Sequence, residues 1–202
     1  MNTRELGEPM NAMMRWTMPA VAGLLLGACG VKGGWMGAAA EKNYDKELEA
    51  QRLAAERNSD DYYEYHLDNE IIVLADRKDV KTYLTAGEIP LRVTKIGGGP
   101  NGERLVFGLV KNEAKAMEKK VGYKGGAQQM YEGTLDGNDK AFYAEVMKGG
   151  RYVVFGAWKD LQAFRKSGAA NPVASGTTAD GKSVTFTTDN PDVLARFKEL
   201  HG

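Results

Sequence analysis

The chain has 202 residues, 43% of them hydrophobic and 27% charged, a composition of ordinary globular proteins. Lysine plus arginine and aspartate plus glutamate number 27 each, so the formal net charge is zero and the basic face of a dedicated nucleic-acid binder is not expected. Cys29 is the sole cysteine, which excludes an intrachain disulfide and a multi-thiolate metal site.

In chain order, the first feature is Arg15, then the apolar run Met18 to Leu25, then Leu26-Gly27-Ala28-Cys29. A positive charge, a short apolar stretch and small residues before a cleavage point make a secretory signal. The run is shorter than the about 20 residues that a spanning helix needs, and no later stretch is long and apolar enough either. With its cysteine directly after the small residues, this segment resembles a bacterial lipobox. The resemblance implies cleavage after Leu26, Gly27 and Ala28, and a diacylglyceryl group on Cys29. It makes the lipid bilayer a partner through acylated Cys29, and two or more acyl chains give stable anchoring at about 0.8 kcal/mol per buried methylene. It places the protein in the cell envelope, and Gly30 where retained lipoproteins carry aspartate favours the outer membrane, facing the periplasm.

Five segments follow from composition and repetition: a lipoprotein signal peptide over 1–28, a Gly-rich tether and charged helix over 29–58, a first repeat over 59–122, a linker over 123–141 and a second repeat over 142–202. The charged helix has only Leu48 and Leu53 as large aliphatics, too weak a stripe to bury much. The repeats align Tyr62-Tyr63-Glu64-Tyr65 with Tyr143-Ala144-Glu145-Val146, and Glu70-Ile71-Ile72-Val73 with Arg151-Tyr152-Val153-Val154. They go on to align Asp79 to Tyr83 with Asp160 to Phe164, Asn101-Gly102 with Asp180-Gly181, and Asn112 with Asn190. The period of about 80 residues exceeds that of common solenoids and suits a pseudo-symmetric pair.

Each copy predicts the same order. Two strands meet at a turn of Asp68-Asn69 or Gly149-Gly150, residues that tolerate positive φ. A short helix follows, capped by Asp76 and ended by Gly87 in the first copy, and ended by Gly168 in the second. A second hairpin and a closing helix complete the unit, the last helix opening at Asn190-Pro191. The expected fold class is α+β: two tandem ββα-ββα repeats with antiparallel sheets, their helices covering the sheet faces.

The stretch Met147-Lys148-Gly149-Gly150-Arg151-Tyr152-Val153-Val154-Phe155, with Phe164 in the helix after it, resembles the hairpin-helix portion of the YHS domain. The metal-linked cysteines of that family are missing from both copies, so the resemblance implies a shape without a metal function. The tandem body also resembles uncharacterised repeat-containing secreted bacterial proteins, which implies no activity. No cofactor and no metal are expected.

Gly176 to Ser183 matches the Walker A pattern by letter, yet Val184-Thr185-Phe186 after it favour a strand where a phosphate loop opens a helix. A chance match on a hairpin is the expectation. Gly97-Gly98-Gly99-Pro100-Asn101-Gly102 reads as a wide hairpin loop before it reads as an anion nest. Of the two histidines, His201 is penultimate and expected to fray, while His66 is expected to be structural or solvent-facing. Glu64 and Glu145 occupy equivalent places. They are expected to be charge partners on a wet sheet face, with an acid–base pair or the two ends of a groove as alternatives. The aromatics fit the core, although alternation would put Tyr63 outside.

No catalytic set is identifiable. The expected function is a membrane-anchored envelope lipoprotein, a non-enzymatic module binding an envelope protein or a small ligand, with Glu64, Glu145 and His66 as ligand-binding candidates. The alternative is an envelope hydrolase or lyase using acidic residues in a cleft between the repeats. Metabolic labelling with palmitate should mark the wild-type chain and leave Cys29→Ala unmarked; equal labelling of both would remove the anchor.

Overall fold

The computed structural model describes residues 58–138 and 140–202. Cys29, the cleavage residues Leu26 to Ala28, the tether and all but the last residue of the charged segment lie outside the described residues.

The first half opens with a hairpin, β1 (Asp61–His66) and β2 (Glu70–Leu74), turning at Asp68-Asn69. Helix α1 (Arg77–Ala86) starts where the Asp76 carboxylate accepts from the Lys78 and Asp79 N–H groups, and it stops at Gly87, whose φ of 70° suits a residue without Cβ. A second hairpin, β3 (Arg92–Lys95) and β4 (Arg104–Gly108), leads to α2 (Lys111–Lys119) and α3 (Gly126–Glu132). The second half runs β5 (Tyr143–Lys148), β6 (Arg151–Phe155), α4 (Trp158–Ser167), β7 (Ala174–Thr177), β8 (Ser183–Phe186) and α5 (Pro191–His201). Asn190 caps α5 through a 3.0 Å bond from the Asp192 N–H.

All eight strands form one sheet in the order β3-β4-β2-β1-β5-β6-β8-β7. The order reads alike from either edge: an outer hairpin, then an inner hairpin, meeting at the centre. The expectation of antiparallel sheets is corrected to a single mixed sheet, because β1 and β5, β2 and β4, and β6 and β8 pair in parallel. Parallel neighbours need a crossover of a dozen or more residues. In the first half α1 and β3 supply it, and in the second α4 and β7 do.

Both faces of the sheet are covered. Under α3 and α4 lie Tyr62, Ile71, Val73, Phe107, Val146 and Phe155, packed with Met130, Trp158 and Leu161. Under α1 and α5 lie Tyr63, Tyr65, Leu74, Tyr143, Tyr152 and Val154, packed with Val80, Val193 and Phe197. There is no wet central face, so Tyr63, expected outside, is fully buried, and Glu64 and Glu145 are buried with it. Nor is 123–141 a mere linker: α3 buries Ala127, Gln128 and Met130 over β2 and β4. Among the described residues no helix is long and apolar enough to cross a membrane.

Glu113 fastens this corner. Its fully buried carboxylate accepts from the Val110 N–H at 3.0 Å, the Gly126 N–H at 2.6 Å and Asn58 Nδ2 at 3.1 Å, tying the first turns of α2 and α3 together. Glu113→Ala strands buried donors and is expected to cost about 3 kcal/mol in urea unfolding, with Glu113→Gln costing less because its amide oxygen still accepts. Equal costs would show that the hydrogen bonds are not what matters there.

Candidate functional site

Strand alternation puts Tyr62, Glu64 and His66 on one face of β1. The Tyr62 hydroxyl donates to Glu64 Oε2, and His66 Nε2 lies 2.5 Å from Glu64 Oε1. Arg165 comes down from α4 and sets its Nε 3.7 Å from Glu64 Oε2. That arginine is itself held: it donates to the Tyr131 carbonyl at 2.9 Å, and its guanidinium stacks 4.6 Å from the Tyr131 ring centroid. Burial alone would push the Glu64 carboxyl up, but the His66 hydrogen bond, the Arg165 charge and the Tyr62 hydroxyl together hold it below its ordinary value. Burial, and then the Glu64 charge, push the Tyr62 hydroxyl well above its ordinary range, which keeps it a donor.

A cleft of about 830 Å3 opens over this group. Glu64 and His66 line it from β1. Val146, Val153 and Phe164 give it apolar walls, and Lys148, Arg151 and Arg165 supply cations. The strand register explains the rim. Tyr65 pairs with Met147, so His66 and Lys148 follow one another onto the same face, and Lys148 pairs with Arg151. His66, Lys148 and Arg151 therefore form one row across three neighbouring strands.

The register also separates the two acids. Glu64 stands opposite Val146 and Glu145 opposite Tyr63, so the two carboxylates leave the sheet from opposite faces. Glu145, with no exposure at all, accepts from Tyr65 Oη and Tyr143 Oη at 2.5 Å each. His201 Nε2 lies 3.0 Å from both of its oxygens. The expectation that His201 frays is overturned: its ring stacks 4.5 Å from Phe197 and 4.6 Å from Tyr152, and its side chain is 6% exposed. Burial, and then the Glu145 charge, push Tyr65 and Tyr143 well above the ordinary tyrosine range. Glu64 and His66 thus share a site. Glu145 belongs to the core of the other face, so neither a wet-face pair nor a shared groove exists.

The other motifs resolve into turns. Gly176 to Ser183 is the β7–β8 hairpin with Gly181 at φ 81°, and Lys182 and Thr178 both turn back onto Asp180. At Gly97 to Gly102 the acid Glu103 fills the loop, its carboxylate accepting from the Asn101 N–H at 2.8 Å, so no anion nest is open. Among the described residues, no three His, Cys, Asp or Glu side chains group to hold a metal ion. No family model, curated protein or solved structure matches the chain.

Sequence reasoning missed Lys148, Arg151, Arg165 and Tyr131. It also missed that Glu64 orients His66, although their spacing of two along a strand was a usable signal. The pH consequence follows from the sign of the Glu64 shift. A lowered carboxyl stabilises the fold above its ordinary value of 4.5, and that stability is lost as pH falls through the lowered folded value. Thermal melts taken to progressively lower pH should therefore fall more steeply for wild type than for Glu64→Gln; parallel curves would refute the pairing.

Proposed function

We propose that the chain is a membrane-anchored envelope lipoprotein whose folded body is a non-enzymatic binding module, with its ligand seated in the Glu64–His66 cleft. The observation that carries this is a buried carboxylate met by Tyr62, His66 and Arg165 on the floor of an open cleft. So many partners turn Glu64 into a positioning group, which fixes His66 and Arg165 before anything binds. The cleft's volume falls in the range of about 300–1,000 Å3 that encloses small ligands, and its mostly apolar walls with a few converging polar groups fit the same class. A small ligand is therefore favoured over a flat protein partner.

The anchor reading rests on Leu26-Gly27-Ala28-Cys29, with acylated Cys29 holding the body at the outer membrane on its periplasmic side. We also read the body as a duplicated ββα-ββα unit, spanning 59–122 and 142–202. The strand order that reads alike from both edges supports this, as does the recurrence of Tyr-x-Glu with the tyrosine hydroxyl bonded to the glutamate two residues on.

One observation favours a second reading, an envelope hydrolase or lyase: the 2.5 Å contact by which Glu64 orients His66, the arrangement of a histidine base and its acid. Glu145, on the opposite face, has no part in it.

Native mass spectrometry of the chain extracted from membranes with its lipid intact tests the binding reading. A small-molecule adduct is expected on the wild type and not on Val153→Trp, which fills the cleft, with cooperative melting showing that the variant folds. An adduct that survives the filled cleft, or no adduct on the wild type, would overturn it.

A further inference from the structure

Taking the binding reading as its basis, we propose that the cleft receives an anion: a carboxylate or phosphate monoester carried on an aromatic or aliphatic body. Lys148 and Arg151 face each other at the mouth, both exposed, and among the described residues neither side chain makes a hydrogen bond or an ion pair. Arg165 adds a third positive charge from the roof. Among the described residues the only acid lining the cleft is Glu64, and its charge is already met by Arg165, His66 and Tyr62. The cleft is therefore net positive, and apolar walls of low dielectric focus that field on whatever enters. An arginine fork beside a lysine point charge suits the oxygens of a carboxylate or phosphate. Val146, Val153 and Phe164 then offer contact for an apolar body rather than for a bare ion.

The opposite face shows that the fold does not require these cations. A cleft of about 710 Å3 lies there between α1 and the first half's strands, lined by Leu67, Glu70, Ile72, Tyr83 and Arg104 among others. It is built on the same plan, with Tyr83 in the place of Phe164 and Ile72 in the place of Val153. Leu67 stands where the other cleft has Lys148, and Glu70 stands where it has Arg151. Glu70 spends its charge on Arg104 at 2.9 Å, while Arg151 has only Ser183 beside it on the neighbouring strand. The two cavities thus differ in charge: the lining of the opposite one sets Glu70 and Glu88 against Arg92 and Arg104, while this one sets Lys148, Arg151 and Arg165 against Glu64 alone among the described residues.

The test uses the full acylated chain in phosphatidylcholine nanodiscs, titrated by calorimetry with phenyl phosphate, benzoate and benzylammonium. Both anions should bind and the cation should not. The exposed pair Lys148→Ala/Arg151→Ala should weaken phenyl phosphate about tenfold or more, as loss of charge-assisted bonds predicts. Glu70→Gln, in the opposite cleft, should leave it unchanged. Nanodiscs containing phosphatidylglycerol distinguish the source: competition with phenyl phosphate indicates a lipid headgroup, no competition a soluble molecule, and either answer supports an anion. Anion binding that ignores the double variant overturns the inference, and so does an absence of anion binding. Benzylammonium binding that Val153→Trp abolishes overturns the anion class yet leaves the binding reading standing. No binding by any probe, together with no native adduct, removes both.

Discussion

β1 and β5 lie parallel at the centre of the sheet, and their register decides which face every polar side chain meets. Asp61 stands opposite Tyr143, Glu64 opposite Val146, and Tyr65 opposite Met147. Side chains alternate with a period of two, so a slip of one residue would exchange the faces of one whole strand. Such a slip in β1 would take Glu64 away from Arg165, and one in β5 would take Glu145 away from His201, in either case leaving a buried carboxyl group without its partners. Asp61, anchored by Arg196 of α5 at 2.8 Å, adds a further tie to this register. The central pairing therefore holds both cores and the cleft together.

Each face carries one buried acid, and the two are satisfied in ways that suit different ends. A buried carboxylate is costly unless hydrogen bonds replace its water. In both cases a tyrosine two residues earlier on the same strand donates first. Glu145 completes its set with Tyr65 and His201, all inside a packed aromatic cluster, so its network closes the C-terminal helix onto the sheet. Glu64 completes its set with His66 and Arg165, both of which also line open space. The same device thus locks structure on one face and prepares a surface on the other.

Much of the local architecture was legible in the residues. Gly149-Gly150, with φ of 59° and 74°, and the Asp76 and Asn190 caps mark turns and helix starts by backbone chemistry that acts within a few positions. What pairs with what across the centre was not legible, because periodicity names a strand's faces and not its neighbours. The tyrosines of β1 compounded this: Tyr62, Tyr63 and Tyr65 fit either side of a sheet, and only the helices on both faces make them all core. Helix α3 escaped notice because it is short and bounded by glycines, with Met130 and Ala127 its main apolar content. The His201 contact joins positions 56 apart in sequence, a distance over which no local rule speaks. Lys148 and Arg151 flank the Gly149-Gly150 turn, and nothing local marks them. Their meaning comes from the row that the register makes with His66.

The chemistry of Glu64 bears on which role that residue takes in the cleft. A carboxyl group that works as a general acid or base near neutral pH needs its pKa raised toward that range, as burial without partners achieves. Glu64 is displaced the other way, because His66, Arg165 and Tyr62 outweigh its burial. It is a poor proton acceptor and a good fixed charge, which excludes Glu64 itself as the proton carrier and suits an acid that orients His66. A fixed negative charge beneath a cationic rim holds Arg165 and His66 at set positions, while among the described residues the Lys148 and Arg151 side chains stay unpaired at the mouth. That distribution, tightly neutralised at the floor and open at the rim, would give an incoming anion partners that need not be released from other bonds first, and preorganisation of this kind lowers the cost of binding.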